Sequence, residues 1–242
     1  MSRQRPGRQR ASAPARGDLT LPAPRHRFGA LSIAGVALLA TAVAVALIWL
    51  SLAGPPRRQQ PVTVATAGKS KGDPAAPVVV EVWADFQCPA CRAFTLGPER
   101  RLEETLIADG RVRLVWRHFA FLGPESLWAA EAAECAAEQG RFWAYHDKLF
   151  IEQAGENRGT FSKANLKRFA AELGLQPDAF QACLDQERYA AQVQGETDEG
   201  RRKGVRATPT IFISNQSNDQ KVFEGVPSFE QLRRAIETVA AP

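Results

Sequence analysis

Val78-Val79-Val80-Glu81-Val82-Trp83 runs through Ala84-Asp85-Phe86-Gln87 into Cys88-Pro89-Ala90-Cys91, and the rest of the chain is read outward from this stretch. The β-branched run predicts a strand buried on both faces. Proline suits the first turn of a helix. Pro89 therefore predicts a helix that starts there and reaches about Ala108, with Cys88 at its N-cap and Cys91 one turn further in. Unpaired N–H groups and the helix macrodipole favour an anion at that end, so the Cys88 thiol should ionise more readily than an ordinary one. Such a thiolate is a good leaving group and, when reduced, a nucleophile. Cys91, on the same turn, can attack a mixed disulfide and resolve it.

Two cysteines spaced in this way also ligate zinc or attach haem. Haem attachment wants His after the second Cys, and Arg92 stands there. A structural zinc site wants four ligands. The other candidates, Cys135, Cys183, His118 and His146, fall at no recognised spacing. A strand before the pair and a helix after it favour redox chemistry, with no metal and no cofactor.

Towards the C-terminus, residues 112–116 predict a second strand, followed by a helical region over about 124–184. It is broken near residues 155–160 and divided again at Gly174 and Pro177. A further helical stretch reaches about Lys203. Residues 209–213 and 221–223 read as paired strands, and 228–240 as a terminal helix. This order is that of an α/β fold. Trp128, Phe142, Trp143 and Phe150 fall at helical spacings and read as core of the helical region. His118 and His146 read as hydrogen-bonded structural residues.

Towards the N-terminus, residues 53–76 are rich in Pro, Gly, Lys and small polar side chains. They read as a tether, with a possible short strand at 62–64. Residues 28–52 carry no charge, and 25 residues at about 1.5 Å each can cross a hydrocarbon core of roughly 30 Å. A cleavable signal has an apolar region of about 7–15 residues, so the longer run favours an uncleaved transmembrane anchor. Seven arginines precede the run and two follow it, which places residues 1–27 in the cytoplasm and the remainder outside. Those seven bases and the single acid Asp18 account for the basic bias. Removing them from the totals of 31 and 26 leaves 24 basic and 25 acidic residues, and no electrostatic footprint for nucleic acid.

Asp85-Phe86-Gln87 with the Cys88–Cys91 motif, Arg117-His118-Phe119, Glu134-Cys135-Ala136, Gln139-Gly140-Arg141-Phe142-Trp143, His146-Asp147-Lys148-Leu149-Phe150 and Ala207-Thr208-Pro209-Thr210 occur in that order. Over about residues 60–240 the chain thereby resembles the DsbA family of the thioredoxin superfamily. The resemblance implies a thioredoxin fold over 77–242, with a helical domain inserted at about 122–203. It implies a cis Pro209 beside the cysteine pair, with the Thr208 backbone free to bond an incoming peptide. From the residues alone, Cys135 and Cys183 are either two buried thiols or a pair; the resemblance implies a structural bridge across the insertion. Members often carry a buried acid six positions before the first cysteine. Here that position is Val82, with Glu81 expected on the opposite face of the strand, and Asp85 reads as a strand-end residue.

The function implied is transfer of a disulfide from Cys88–Cys91 to thiols of exported proteins. A membrane partner of the DsbB or vitamin-K-epoxide-reductase-like type would restore the disulfide. The alternatives are the same fold acting as a reductase or isomerase, or a metallochaperone or assembly module.

Overall fold

The computed structural model describes residues 30–52, 64–217 and 219–241. The basic tail and residues 53–63 of the expected tether lie outside them. Two units separate, Met1–Gln59 and Gln60–Pro242. In the first, α1 (Ala30–Leu52) is helical over 23 residues of the uncharged run. Among the described residues, no helix is long and apolar enough to cross a membrane.

The second unit is built on a six-stranded sheet in the order β1-β2-β4-β3-β5-β6. Its strands are β1 (Thr66–Ala67), β2 (Ser70–Lys71), β3 (Val78–Ala84), β4 (Val112–His118), β5 (Thr210–Asn215) and β6 (Gln220–Glu224). β3 runs parallel to β4, from Val78 opposite Val112 to Ala84 opposite His118, and antiparallel to β5 on its other edge. With neighbours on both edges and helices on both faces, the strand buries Val78, Val80, Val82 and also Trp83, which is why its sequence does not alternate.

A parallel pair needs a crossover. Here it is α2 (Pro89–Phe94), a π turn Thr95–Glu99, α3 (Arg100–Leu102) and a second π turn Glu103–Ile107. Pro98, which has no N–H to donate, sits inside the first π turn. Between β4 and β5 come α4 (Pro124–Ala137), α5 (Phe142–Glu152), α6 (Lys163–Glu172), α7 (Pro177–Asp185) and α8 (Ala190–Arg202). The expected helical block has one break beyond those read from the sequence, at residues 138–141, where Gly140 takes a φ of 68°. α9 (Phe229–Ala240) closes the chain with a capping box between Ser228 and Gln231.

One expectation needs correction. The tether expected over 53–76 is shorter at its C-terminal side, because β1 and β2 pair with each other and β2 with β4. Two-residue strands carry no detectable period, and Val64 lies just ahead of them rather than in a strand. The aromatic residues expected as core of the helical region are so placed, Phe142, Trp143 and Phe150 buried on α5, and they also close its seam with the sheet. Trp116 of β4 lies 4.5 Å from the His146 ring and 5.0 Å from Phe86, Phe150 stands 5.0 Å from His146, and Trp143 donates to Ser70 O at 3.2 Å. Trp128 is only half-buried. On the opposite face, α8 presses on Trp83 and Phe119 at Gly200, where a Cβ would meet the two rings at 2.7–2.8 Å.

Candidate active site

The redox motif is held by the loop that leaves β3. The Asp85 carboxylate accepts from Gln87 N at 2.8 Å, and Cys88 N donates to Asp85 O at 3.1 Å; together these turn the chain out of the sheet. Cys88 takes an extended backbone (φ −72°, ψ 119°) and Pro89 opens α2. Cys91 N, left without a partner at the start of the helix, donates to Cys88 Sγ at 3.4 Å. Cys88 is thus the N-cap. Both sulfurs are free thiols, Cys88 7% and Cys91 1% exposed, so an incoming group meets Cys88 first.

The second wall is the turn before β5. The Thr208–Pro209 peptide is cis, and the Cys88 thiol donates to Thr208 O at 3.3 Å. The turn is itself held: Thr210 Oγ1 donates to Ala207 O at 2.7 Å, and Gly225 N to Pro209 O at 2.8 Å.

Hydrogen bonding from the Cys91 thiol is the largest influence holding Cys88 down to about 6. Burial opposes it; the Thr208 side chain and the backbone N–H groups of Cys91 and Ala90 add to it. Burial pushes Cys91 well above the ordinary thiol range, and its bond to Cys88 pushes the same way. One sulfur is poised to be a thiolate and the other to keep its proton.

Several residues that frame this site carried no clear sequence signal. Asp85 does more than end a strand. Its carboxylate also accepts from Ser126 Oγ at 2.7 Å, Phe121 N at 2.9 Å and Leu122 N at 3.1 Å, although burial still raises its pKa. Gln87 Nε2 donates to Ser126 Oγ at 2.9 Å, and its carbonyl accepts from Asn157 N at 2.5 Å. Gln153 Nε2 bridges Phe86 O at 2.6 Å and Cys88 O at 3.1 Å. The insertion thus holds the loop from behind. The one available signal was a polar Asn157 within the glycine-flanked break at 155–159.

Other candidates lie elsewhere. Glu81 faces Trp83 Nε1 at 2.7 Å, Lys203 Nζ at 2.6 Å and Arg117 Nε at 3.2 Å, on the α8 side of the sheet, while Val82 is fully buried on the other. His118 accepts from Trp116 Nε1 on Nδ1 at 3.2 Å, so its Nε2 carries the proton that Glu134 accepts at 3.0 Å. Burial alone would raise Glu134, yet that bond and the Lys69 ammonium bring it to about 2. His146 donates from Nδ1 to Asp147 at 2.9 Å. Cys135 on α4 and Cys183 on α7 are joined as a disulfide, Cα–Cα 5.9 Å, within the insertion. Among the described residues, no group of three His, Cys, Asp or Glu is placed to hold a metal.

The family model described as Thioredoxin matches residues 66–238. The chain is 27% identical over 175 residues to disulfide bond formation protein D of Bacillus subtilis, covering 69% of this chain and 77% of that one. The oxidised crystal structure of BdbD from Bacillus subtilis superposes with a TM-score of 0.65 at 27% identity, over 72% of this chain and 92% of the other. The Na(+)/H(+) antiporter NhaA 3 of Salinispora tropica is 35% identical over 173 residues. That stretch is 71% of this chain but spans only 24% of the antiporter's length.

Proposed function

The chain belongs to the thioredoxin family, among its DsbA-like thiol-disulfide oxidoreductases, and from that premise we propose that it passes a disulfide from Cys88–Cys91 to thiols of exported proteins. A substrate thiolate attacks Cys88 Sγ, and the Cys88–Cys91 bond breaks with its electron pair going to Cys91, which takes a proton. A second substrate thiolate then attacks the substrate sulfur of the mixed disulfide and releases Cys88 as the thiolate. The substrate leaves oxidised and the pair reduced by two electrons. Thr208 and Pro209 line the path of the incoming peptide. Cys135–Cys183 takes no part and braces the insertion.

The observation that carries this reading is the asymmetry of the two free thiols, with Cys88 held near 6 at a helix N-cap. Stabilising the reduced thiolate raises the reduction potential and favours oxidation of substrates over their reduction. A membrane partner of the DsbB or vitamin-K-epoxide-reductase-like type would accept the electrons. The uncharged run over residues 28–52, by its length in sequence and its flanking arginines, would anchor the chain by a single pass with the domain outside. Two measurements test the reading: redox titration of Cys88–Cys91, and oxidative refolding of reduced ribonuclease. A potential above roughly −200 mV with productive refolding is expected. A value near about −270 mV would make the domain a reductant instead.

A further inference from the structure

The loop that carries the redox pair out of β3 leaves two backbone carbonyls, those of Phe86 and Cys88, converging on a single group. Gln153 Nε2 donates to Phe86 O at 2.6 Å and to Cys88 O at 3.1 Å. Two hydrogens on one nitrogen meet two acceptors, which also fixes which end of the amide is the nitrogen. A primary amide does this without bringing a charge to the site, as lysine or arginine would.

Gln153 owes its place to the end of α5. Its backbone leaves the helical conformation (φ −54°, ψ 122°) directly after Glu152, and from there the half-buried side chain reaches the redox loop. Three residues earlier the bond runs the other way. Arg92 Nε of α2 donates at 2.9 Å to Phe150 O, one of the carbonyls that the end of α5 leaves without an intrahelical partner. The last turn of α5 and the start of α2 are therefore clasped in both directions.

The clasp bears on the sulfur through the Cys88 backbone. Cys88 N is held by Asp85 O at 3.1 Å, and Cys88 O by Arg92 N at 3.1 Å and by Gln153. With the peptide groups on both sides fixed, Sγ faces Cys91 N at 3.4 Å and Thr208 O at 3.3 Å. Among the described residues, no other side chain outside the motif bonds to the Cys88 backbone. Asn157 bonds to the side chain of Gln87 and so holds the loop one residue earlier. Without a donor between them the two carbonyl oxygens would repel each other, and the peptide after Cys88 would turn to find another partner, drawing Sγ away from the helix N–H groups.

We propose, on the reading of Cys88–Cys91 as a redox pair, that Gln153 is a positioning residue for thiol-disulfide exchange: its amide holds the Phe86 and Cys88 carbonyls together and so keeps Cys88 Sγ in its N-cap seat. Cys88 leaves a mixed disulfide as the thiolate, and the charge that appears on Sγ is met by N–H groups already in place. The helical insertion, which supplies no sulfur to the reaction, thereby sets how readily Cys88 leaves.

Gln153→Met keeps the length of the side chain and removes both hydrogens; Gln153→Glu keeps its shape and turns a carboxylate on the two carbonyls. Ultraviolet thiolate absorbance should show the Cys88 titration moving from about 6 to about 7 in Gln153→Met, and further in Gln153→Glu. At pH 8 the equilibrium of Gln153→Met with glutathione should shift about tenfold towards the protein disulfide, a potential lower by about 30 mV. Unfolding of the variants in urea accompanies both measurements. A Gln153→Met protein that loses stability but keeps the wild-type titration and equilibrium would overturn the proposal, leaving Gln153 a fastening of the fold. A shift confined to Gln153→Glu would also overturn it, because added charge alone would account for that. Failure of the wild-type pair to equilibrate with glutathione at all would overturn the redox reading instead.

Discussion

The four cysteines form two pairs whose differences come from where each sits on its helices. Cys88 and Cys91 share one turn at the start of α2, where backbone N–H groups lack partners and one sulfur reaches the surface. Cys135 and Cys183 lie in the last turns of two packed helices, α4 and α7, separated by 48 residues and fully buried. A helix N-terminus makes a thiol reactive; on a buried helix face away from that end it is a small apolar side chain. The same element therefore does chemistry at one pair and bracing at the other.

The largest expected effect breaks the comparison on its reactive side. Cys88→Ser should abolish both turnover and covalent substrate complexes. Cys91→Ala should stop turnover but accumulate mixed disulfides through Cys88, read by non-reducing electrophoresis and peptide mapping. Complexes that run through Cys91 in a Cys88 variant would reverse the assignment of roles.

On the bracing side, replacing both Cys135 and Cys183 by Ala should cost about 4 kcal/mol, the chain-entropy value for a closed loop of 48 residues. Denaturant unfolding would measure it. Below the lowered melting temperature the Cys88–Cys91 potential should not move. A shifted potential would mean that the pairs are coupled.

A third effect separates the reduced from the oxidised protein by pH. A thiol whose pKa is lowered in the fold contributes stability that is complete above its ordinary value of 9.0 and is lost as pH falls through about 6. Cys91, shifted upwards by burial, works against this only above pH 9. The reduced domain should therefore gain stability relative to the oxidised one as pH rises from about 6 to about 9, measured by urea unfolding of both forms. A flat difference would show that Cys88 is an ordinary thiol.

How much of this was legible in the sequence depends on the distance over which each feature is encoded. The strand into Cys88, the N-cap and the helix breaks at Gly174 and Pro177 are local and could be read directly. The β1–β2 hairpin was read as tether because its strands are too short to show a period and exist through pairing with β4. The contacts that Gln153 and Asn157 bring to the site could not be read, since the bonds that matter join residues 67 and 70 apart.

The smallest effect tests the same electrostatic rule beside the bracing pair. Glu131 stands one turn before Cys135 on α4, 1% exposed, and neither carboxylate oxygen has a hydrogen-bond partner. Where Cys88 is surrounded by donors and is lowered, Glu131 has none. Burial, reinforced by the Glu187 charge and opposed by Lys163, raises it to about 7. An acid raised in the fold costs nothing below its ordinary value of 4.5, costs increasingly as pH climbs through 7, and costs the full amount above that. Glutamine has the shape and neutrality of the protonated acid, so Glu131→Gln removes only the charge. At pH 8 it should stabilise the domain by about 1–2 kcal/mol once screening by nearby solvent is allowed for, a rise in melting temperature of roughly 2–6 °C. At pH 4, where wild type and variant are both neutral at this position, the two should melt together. Equal stabilisation at both pH values would point to packing, and destabilisation at pH 8 would mean that the charged carboxylate has found a partner.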